Sequence, residues 1–172
     1  MEDQFQEYWN KSKKEIFRLS LPVLTFSTAE KLRYEEYKKT GRIPVDKELS
    51  DWFASLSELK RKGIVLRRLQ IIKFPVPPFT LFELKQLRLF KENSEDVLGL
   101  ENQKFIRFCN GRDVKDFWLF ANSKVLLPVY DENGLWLGHK RSSDDDASYL
   151  LELKKRLIGQ AKPIEAFLEG VA

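Results

Sequence analysis

Cysteine occurs once in the 172 residues, at Cys109, so no disulfide can form within the chain and no thiolate cluster can assemble around zinc. Histidine also occurs once, at His139, which forces any Ser-His-Asp or Cys-His mechanism through that one ring. No apolar run approaches the roughly 18 to 20 residues that span a bilayer. The acidic start Met1-Glu2-Asp3-Gln4 leads into no apolar signal segment, so the chain is read as cytoplasmic, with no membrane association. Eight glycines and seven prolines are too few for a fibrous or low-complexity protein. Neither a G-x-G-x-x-G run nor a Walker pattern occurs, which removes the glycine-rich phosphate cradles. No internal repeat is found.

What is plentiful is aromatic and charged. Thirteen Phe, four Trp and five Tyr, within a chain that is 42% hydrophobic and 33% charged, suit a single globular domain over 1–172 with a substantial core. The net charge is +4 and uneven: residues 1–75 carry 16 basic and 11 acidic side chains, and residues 76–172 carry 14 and 15. The signs are interleaved in the basic half, so solvated helix faces are preferred over an electrostatic binding surface.

Periodicity divides the chain into a helical part (1–63), a strand-rich part (64–140) and C-terminal helices (144–169). Phe5, Tyr8, Trp9, Ser12, Ile16 and Leu19 recur at spacings of three and four, predicting one amphipathic helix from Phe5 to Leu19. An extended stretch is expected at Pro22 to Phe26. Ser27-Thr28-Ala29-Glu30 is a capping-box pattern opening a helix that stops at Gly41, and Asp46 or Ser50 caps a third helix ending at Gly63. Ile64 to Ile72 is β-branched and apolar on both faces, a central strand. After Pro75, Pro77 and Pro78, Thr80 to Glu83 repeats the capping-box pattern before a helix to Lys91, and Glu92 to Gln103 reads as a loop. Lys104–Cys109, Asp116–Phe120, Val125–Tyr130 and Leu135–His139 read as strands, the last three an antiparallel meander joined at Asn122-Ser123 and Asn133-Gly134. Asp144-Asp145-Asp146 opens a C-terminal helix through Leu157 whose Lys154-Lys155-Arg156 end complements its dipole, and Pro163 opens a last helical turn. The fold class is α+β: N-terminal helices packed with a mixed sheet and closed by a C-terminal helix.

The chemistry is sparse. Cys109 is expected to be a small hydrophobe rather than a partner of His139, and His139 a half-exposed side chain beside Lys140 and Arg141. The acidic triple and Asp131-Glu132-Asn133-Gly134 lack the rest of a calcium loop and are read as a helix cap and a turn, so no metal or cofactor is assigned. Arg67 and Arg68 interrupt an apolar strand and must point to opposite faces, one of them partly buried. Glu83 is the expected partner of Arg68, as a structural ion pair in preference to a ligand- or phosphate-binding arginine. Strand alternation puts Phe117 and Leu119 on one face and Trp118 and Phe120 on the other, with both faces covered. Arg67, Arg68, Glu83 and Trp118 are the candidate binding residues.

Arg68-Leu-Gln-Ile-Ile, Pro75, Phe79 to Glu83, Asp116-Phe-Trp-Leu-Phe120, Asp131-Glu-Asn-Gly134 and Leu137-Gly138, preceded by Phe17-Arg18-Leu19, Gly41 and Gly63, resemble a family of domains of unknown function abundant in actinomycetes and often found near helix-turn-helix regulators. The chain departs from that pattern at Ala121, where members carry Asp, and at Gln70, where they carry Arg. A looser, architectural resemblance is to half of a phospholipase D-like domain, whose His-x-Lys-x4-Asp register falls here on Val114, Asp116 and Ala121 and so lacks every catalytic identity. The His139, Arg141, Asp146 spacing runs from a strand into a helix cap and is treated as coincidence.

The resemblance implies a non-enzymatic regulatory or protein-interaction module with a protein partner. The alternatives are nucleic-acid binding through Lys11, Lys13, Lys14, Lys60, Arg61, Lys62 and Arg67, with Tyr8 and Trp9 available for stacking, and a degenerate phosphodiesterase.

Overall fold

The computed structural model describes residues 2–22, 27–121, 123–133 and 136–169. At its centre lies β1 (Glu15–Ser20), with parallel β2 (Val65–Ile72) on one side and antiparallel β4 (Phe117–Phe120) on the other. β3 (Asp96–Glu101) continues the parallel set, and the two-residue β7 (Lys162–Pro163) closes that edge. β5 (Lys124–Tyr130) and β6 (Trp136–Arg141) extend the antiparallel half, giving a seven-stranded mixed sheet in the order β6-β5-β4-β1-β2-β3-β7. The described helices are α1 (Glu2–Lys11), α2 (Thr28–Thr40), α3 (Lys47–Arg61), α4 (Pro78–Glu92), α5 (Asn102–Cys109), α6 (Asp144–Ile158) and α7 (Glu165–Leu168). The fold is therefore α+β, with the antiparallel meander where alternation predicted it. Of the connecting residues, Asn122, Gly134 and Leu135 lie outside the described ones, as do Val23 to Phe26 of the expected extended stretch.

Three elements differ from the sequence expectation, each for a packing reason. The expected first helix stops at Lys11, where the Ser12 hydroxyl donates to the Tyr8 carbonyl at 2.8 Å, and residues 15–20 become β1. Inserted between two strands, Ile16, Phe17 and Leu19 are all sealed from solvent, each worth about 1.5–3 kcal/mol of burial, and this overrides a helical spacing shared with the real helix before it. The expected loop contains β3, disguised by a mid-strand glycine. A Cβ on Gly99 would lie 2.6 Å from the Phe167 ring, so the position has no room for a side chain. The expected strand at Lys104–Cys109 is α5, with Phe105 and Cys109 buried one turn apart on the helix.

Helix starts follow their local chemistry. Ser27 caps α2 by accepting from the Glu30 amide at 3.1 Å, Gly41 at φ 70° ends it, and Asp46 caps α3 by accepting from the Leu49 amide. The second capping-box pattern is not used: Pro78 sets the start of α4, which leaves Thr80 and Glu83 inside the helix. For α6 the cap is Ser143, not the acidic triple, which fills the first turn. Pro163 lies in β7 rather than in the last helix.

Alternation along the strands builds two unequal faces. Phe17, Leu19, Leu69, Ile71, Phe117 and Leu119 pack beneath α5 and α6 in one continuous cluster with Cys109, Leu150, Leu153 and Leu157. The opposite face, under α1, α3 and α4, is divided. Ile16, Leu66, Trp118 and Phe120 form one cluster with Leu56 and Leu59, while Ile72, Leu84, Leu87, Phe90 and Val97 form another with Leu49 and Phe167. Trp118 and Phe120 are buried on the face opposite Phe117 and Leu119, so both faces are covered as alternation requires. Between the two clusters of the divided face runs a row of polar side chains.

Candidate functional site

The polar row comes from one repeated pattern. Phe17-Arg18-Leu19-Ser20 on β1 and Arg67-Arg68-Leu69-Gln70 on β2 pair in parallel, with Arg18 opposite Arg68 and Ser20 opposite Gln70. These four side chains therefore share one face and form the floor of a cleft of about 690 Å³. Its walls are the N-terminal part of α2 (Ser27, Thr28, Glu30, Arg33), one side of α3 (Glu48, Asp51, Trp52) and the inner side of α4 (Glu83, Gln86, Phe90). Asp116, Tyr130 and Trp136 reach it from the antiparallel half. The floor lies toward the carboxyl ends of the parallel strands, the side where open α/β sheets bind ligands.

The two floor arginines are held differently. Arg68 is buried, donates through Nε to Glu95, and lies 5.2 Å from the Phe90 ring centroid. Glu95 is enclosed and also accepts from Trp52 Nε1 at 3.2 Å, so the carboxylate that neutralises Arg68 is set beside the cleft and is not part of its lining. Arg18 is partly buried and lies 4.8 Å from the ring centroid of Trp118, its register partner on β4. Among the described residues it has no hydrogen bond and no carboxylate within ion-pair distance. Burial, with the Arg68 charge beside it, pulls Arg18 down to about 10. Two residues along the strand, the Ser20 hydroxyl is buried in the cleft lining with no hydrogen-bond partner among the described residues.

The walls supply carboxyl groups whose ionisation burial disfavours. Glu83 is pushed up to about 8, first by burial and then by Glu30, with Arg68 opposing. Burial also raises Glu30, which accepts from Gln86 Nε2 at 3.3 Å, and Asp116, which accepts from the Leu21 amide at 2.9 Å. Arg33, the wall cation, is occupied: it donates to Asp46 at 2.6 Å and to Gln86 Oε1 at 3.1 Å.

Of the candidate binding residues, Arg68 and Glu83 line the cleft and Trp118 lies beside it under Arg18. The expected Arg68–Glu83 ion pair is replaced by Arg68–Glu95, because the turn after α4 buries Glu95 against the strand while Glu83 lines the cleft without an ion pair among the described residues. Arg67 points to the other face, as alternation demanded, and is neutralised there by Glu15 at 3.1 Å and Asp96 at 2.6 Å. Arg18, Ser20 and Glu95 were missed as site residues. The Arg-x-Ser and Arg-x-Gln repeat would have revealed the first two, had residues 15–20 been read at a period of two. Cys109 and His139 stand on opposite faces, the cysteine under α6 and the histidine ring stacked 4.8 Å from Phe5. In the phospholipase D-like register, Val114 is core and Asp116 accepts from the chain's own backbone. Tyr8 and Trp9 pack against the sheet instead of facing solvent. Among the described residues no group of three or more His, Cys, Asp or Glu is placed to hold a metal ion, and no described helix is long and apolar enough to cross a membrane.

The architecture defines an α+β domain with a charged cleft on one face of its sheet. Residues 3–169 match a family described as a domain of unknown function (DUF6879), and the chain belongs to that family. No curated protein matches it.

Proposed function

We propose that the chain is a non-enzymatic regulatory module that takes a small anionic ligand in this cleft and acts through a protein partner, a helix-turn-helix regulator being the kind its resemblance implies. One observation carries the reading: among the described residues Arg18, a cation sunk in the cleft floor, has no carboxylate in contact, and it stands next to a second arginine and a buried hydroxyl with no hydrogen-bond partner. A guanidinium removed from water without a counter-ion is unfavourable, and two side by side repel. A carboxylate or phosphate bridging Arg18 and the free end of Arg68, with Ser20 donating, would relieve all three costs. The Glu95 and Trp52 contacts hold Arg68 in place before any ligand arrives.

The test is calorimetric titration, at low ionic strength, of inorganic phosphate, butyrate and hexanoate into wild type and Arg18→Met. Saturable binding that Arg18→Met weakens tenfold or more, about 1.4 kcal/mol, supports the site. Absence of binding, or equal binding by both proteins, overturns it.

Nucleic-acid binding is favoured by a separate observation. The Val65 amide donates to the Lys14 carbonyl at 2.9 Å, which brings Lys13 and Lys14 beside Lys60 and Arg61 at the amino ends of β1 and β2, away from the cleft. Lys11 and Lys62 of that group are tied to Glu7 and Glu58, and Arg67 is spent on Glu15 and Asp96, so the free charge is smaller than the sequence suggests.

A further inference from the structure

We infer that the cleft's ligand is dipolar, an amino-acid-like molecule whose anionic end lies on Arg18 and Arg68 and whose ammonium lies against Glu30 and Glu83. The inference rests on the anion site proposed above and assigns the opposite wall. Glu30 and Glu83 come from different helices, both line the cleft, and Glu30 stands close enough to Glu83 to disfavour its ionisation. Among the described residues neither forms an ion pair at contact distance, although Arg33 and Arg18 favour the ionised form of Glu30 and Arg68 that of Glu83. Arg33 on α2 is committed to Asp46 and Gln86, Arg68 on β2 to Glu95, and Glu83 itself has no hydrogen bond or ion pair among the described residues. The arrangement mirrors the floor, where a cation lacks an anion. The buried, unpartnered Ser20 hydroxyl in the lining is an independent sign that a polar group from outside completes the site.

A ligand with one charge alone would answer half of this. A simple anion leaves Glu83 of the wall without a partner, and a simple amine leaves Arg18 beside Arg68. A dipolar ligand satisfies both walls, and in doing so it changes a protonation state. Glu83 is held up to about 8 by burial, first, and by Glu30, with Arg68 opposing, so the free cleft keeps a proton on it at neutral pH. An ammonium arriving within hydrogen-bond reach favours the carboxylate and drives that proton to solvent.

Proton release provides the experiment. Phosphate, butyrate and hexanoate serve as anions alone, with phosphoethanolamine, 4-aminobutyrate and 6-aminohexanoate as their amino-bearing counterparts, the pairs separating phosphate from carboxylate heads. Each is titrated calorimetrically at pH 7 into wild type and Glu83→Gln, in two buffers of different ionisation enthalpy. Glutamine mimics the protonated carboxyl, so Glu83→Gln should fold like wild type, which circular dichroism checks. The expected result is that at least one amino-bearing probe binds about tenfold or more tightly than its anion-only counterpart. It should release up to one proton in wild type, and Glu83→Gln should lose both the advantage and the release while still binding the anions. Anions that bind as well without an amino group as with one would overturn the dipolar ligand and leave the anion site standing. Failure of every probe, or anion binding indifferent to Arg18→Met, would remove the site itself.

Discussion

Glu95→Ala should be among the most damaging single substitutions in this chain. The carboxylate is enclosed, accepts from Arg68 Nε and Trp52 Nε1, and supplies the one contact anion of a buried arginine that stands in register with a second arginine. Removing one partner of a buried ion pair typically costs about 3–5 kcal/mol, because the other charge stays behind unpaired. The lost Trp52 bond adds about 1 kcal/mol. For a chain of this length each kcal/mol shifts Tm by roughly 2–4 °C, so the ion-pair loss alone should lower Tm by roughly 6–20 °C. Arg68→Leu should cost less, since Glu95 keeps its tryptophan donor and the Arg18–Arg68 repulsion disappears. Arg68→Leu combined with Glu95→Leu should be more stable than Glu95→Leu alone, with a coupling of about 2–3 kcal/mol, because no buried charge is left unmatched. Urea and thermal unfolding of the four proteins measure this cycle. Costs that add to within about 0.5 kcal/mol would show that the pair is not a coupled unit and would refute the account of how the floor is held.

Two further outcomes follow from particular contacts. Gly99→Ala should destabilise by about 1–3 kcal/mol in urea unfolding, because its Cβ meets the buried Phe167 ring at 2.6 Å and Ile72 Cδ1 at 3.0 Å, and Phe167→Leu in the same chain should recover part of the loss; an unperturbed Gly99→Ala would mean that α7 is not packed on β3. His139 should titrate by NMR near 4 rather than near its ordinary value, through burial first and then the Arg18 charge, and since the folded ring resists protonation its contribution is intact above about 6.5 and is lost as pH falls towards 4; a midpoint at 6 or above would refute the enclosure against Phe5.

α2, α3 and the strand carrying Arg68 were legible because each has an unambiguous local signal, a serine or aspartate cap, a left-handed glycine stop or a β-branched run, and the meander because short strand-like runs are separated by Asn-Ser and Asn-Gly turn pairs. The errors cluster where strands are buried on both faces or interrupted. β1 has apolar residues on both sides, so Ile16 and Leu19 satisfied a helical period as well as a strand one. β3 hides behind Gly99, whose reason for being glycine is a ring nearly 70 positions further on. It was the helical period over β1 that removed Arg18 and Ser20 from consideration. Arg68 and Glu83 were visible as polar residues out of place, but their pairing was not: sequence proximity favoured Glu83, and only the turn after α4 brings Glu95 to the strand.

The division of one face of the sheet sets where the molecule can open. Beneath α5 and α6 the apolar packing is unbroken, so lifting either helix exposes leucine and phenylalanine to water. α2 is different: its one fully buried residue is Arg33, and it is fastened through Asp46, Gln86 and the tilted rings of Tyr34 and Tyr37 on Phe82. Swinging that helix outward breaks these polar contacts and uncovers one aromatic patch around Phe82, in place of the continuous apolar layer under α5 and α6. Such a motion leaves the sheet in place, so the ligand proposed above, if it ties Glu30 to the floor, should slow amide exchange in α2 and leave α6 unchanged.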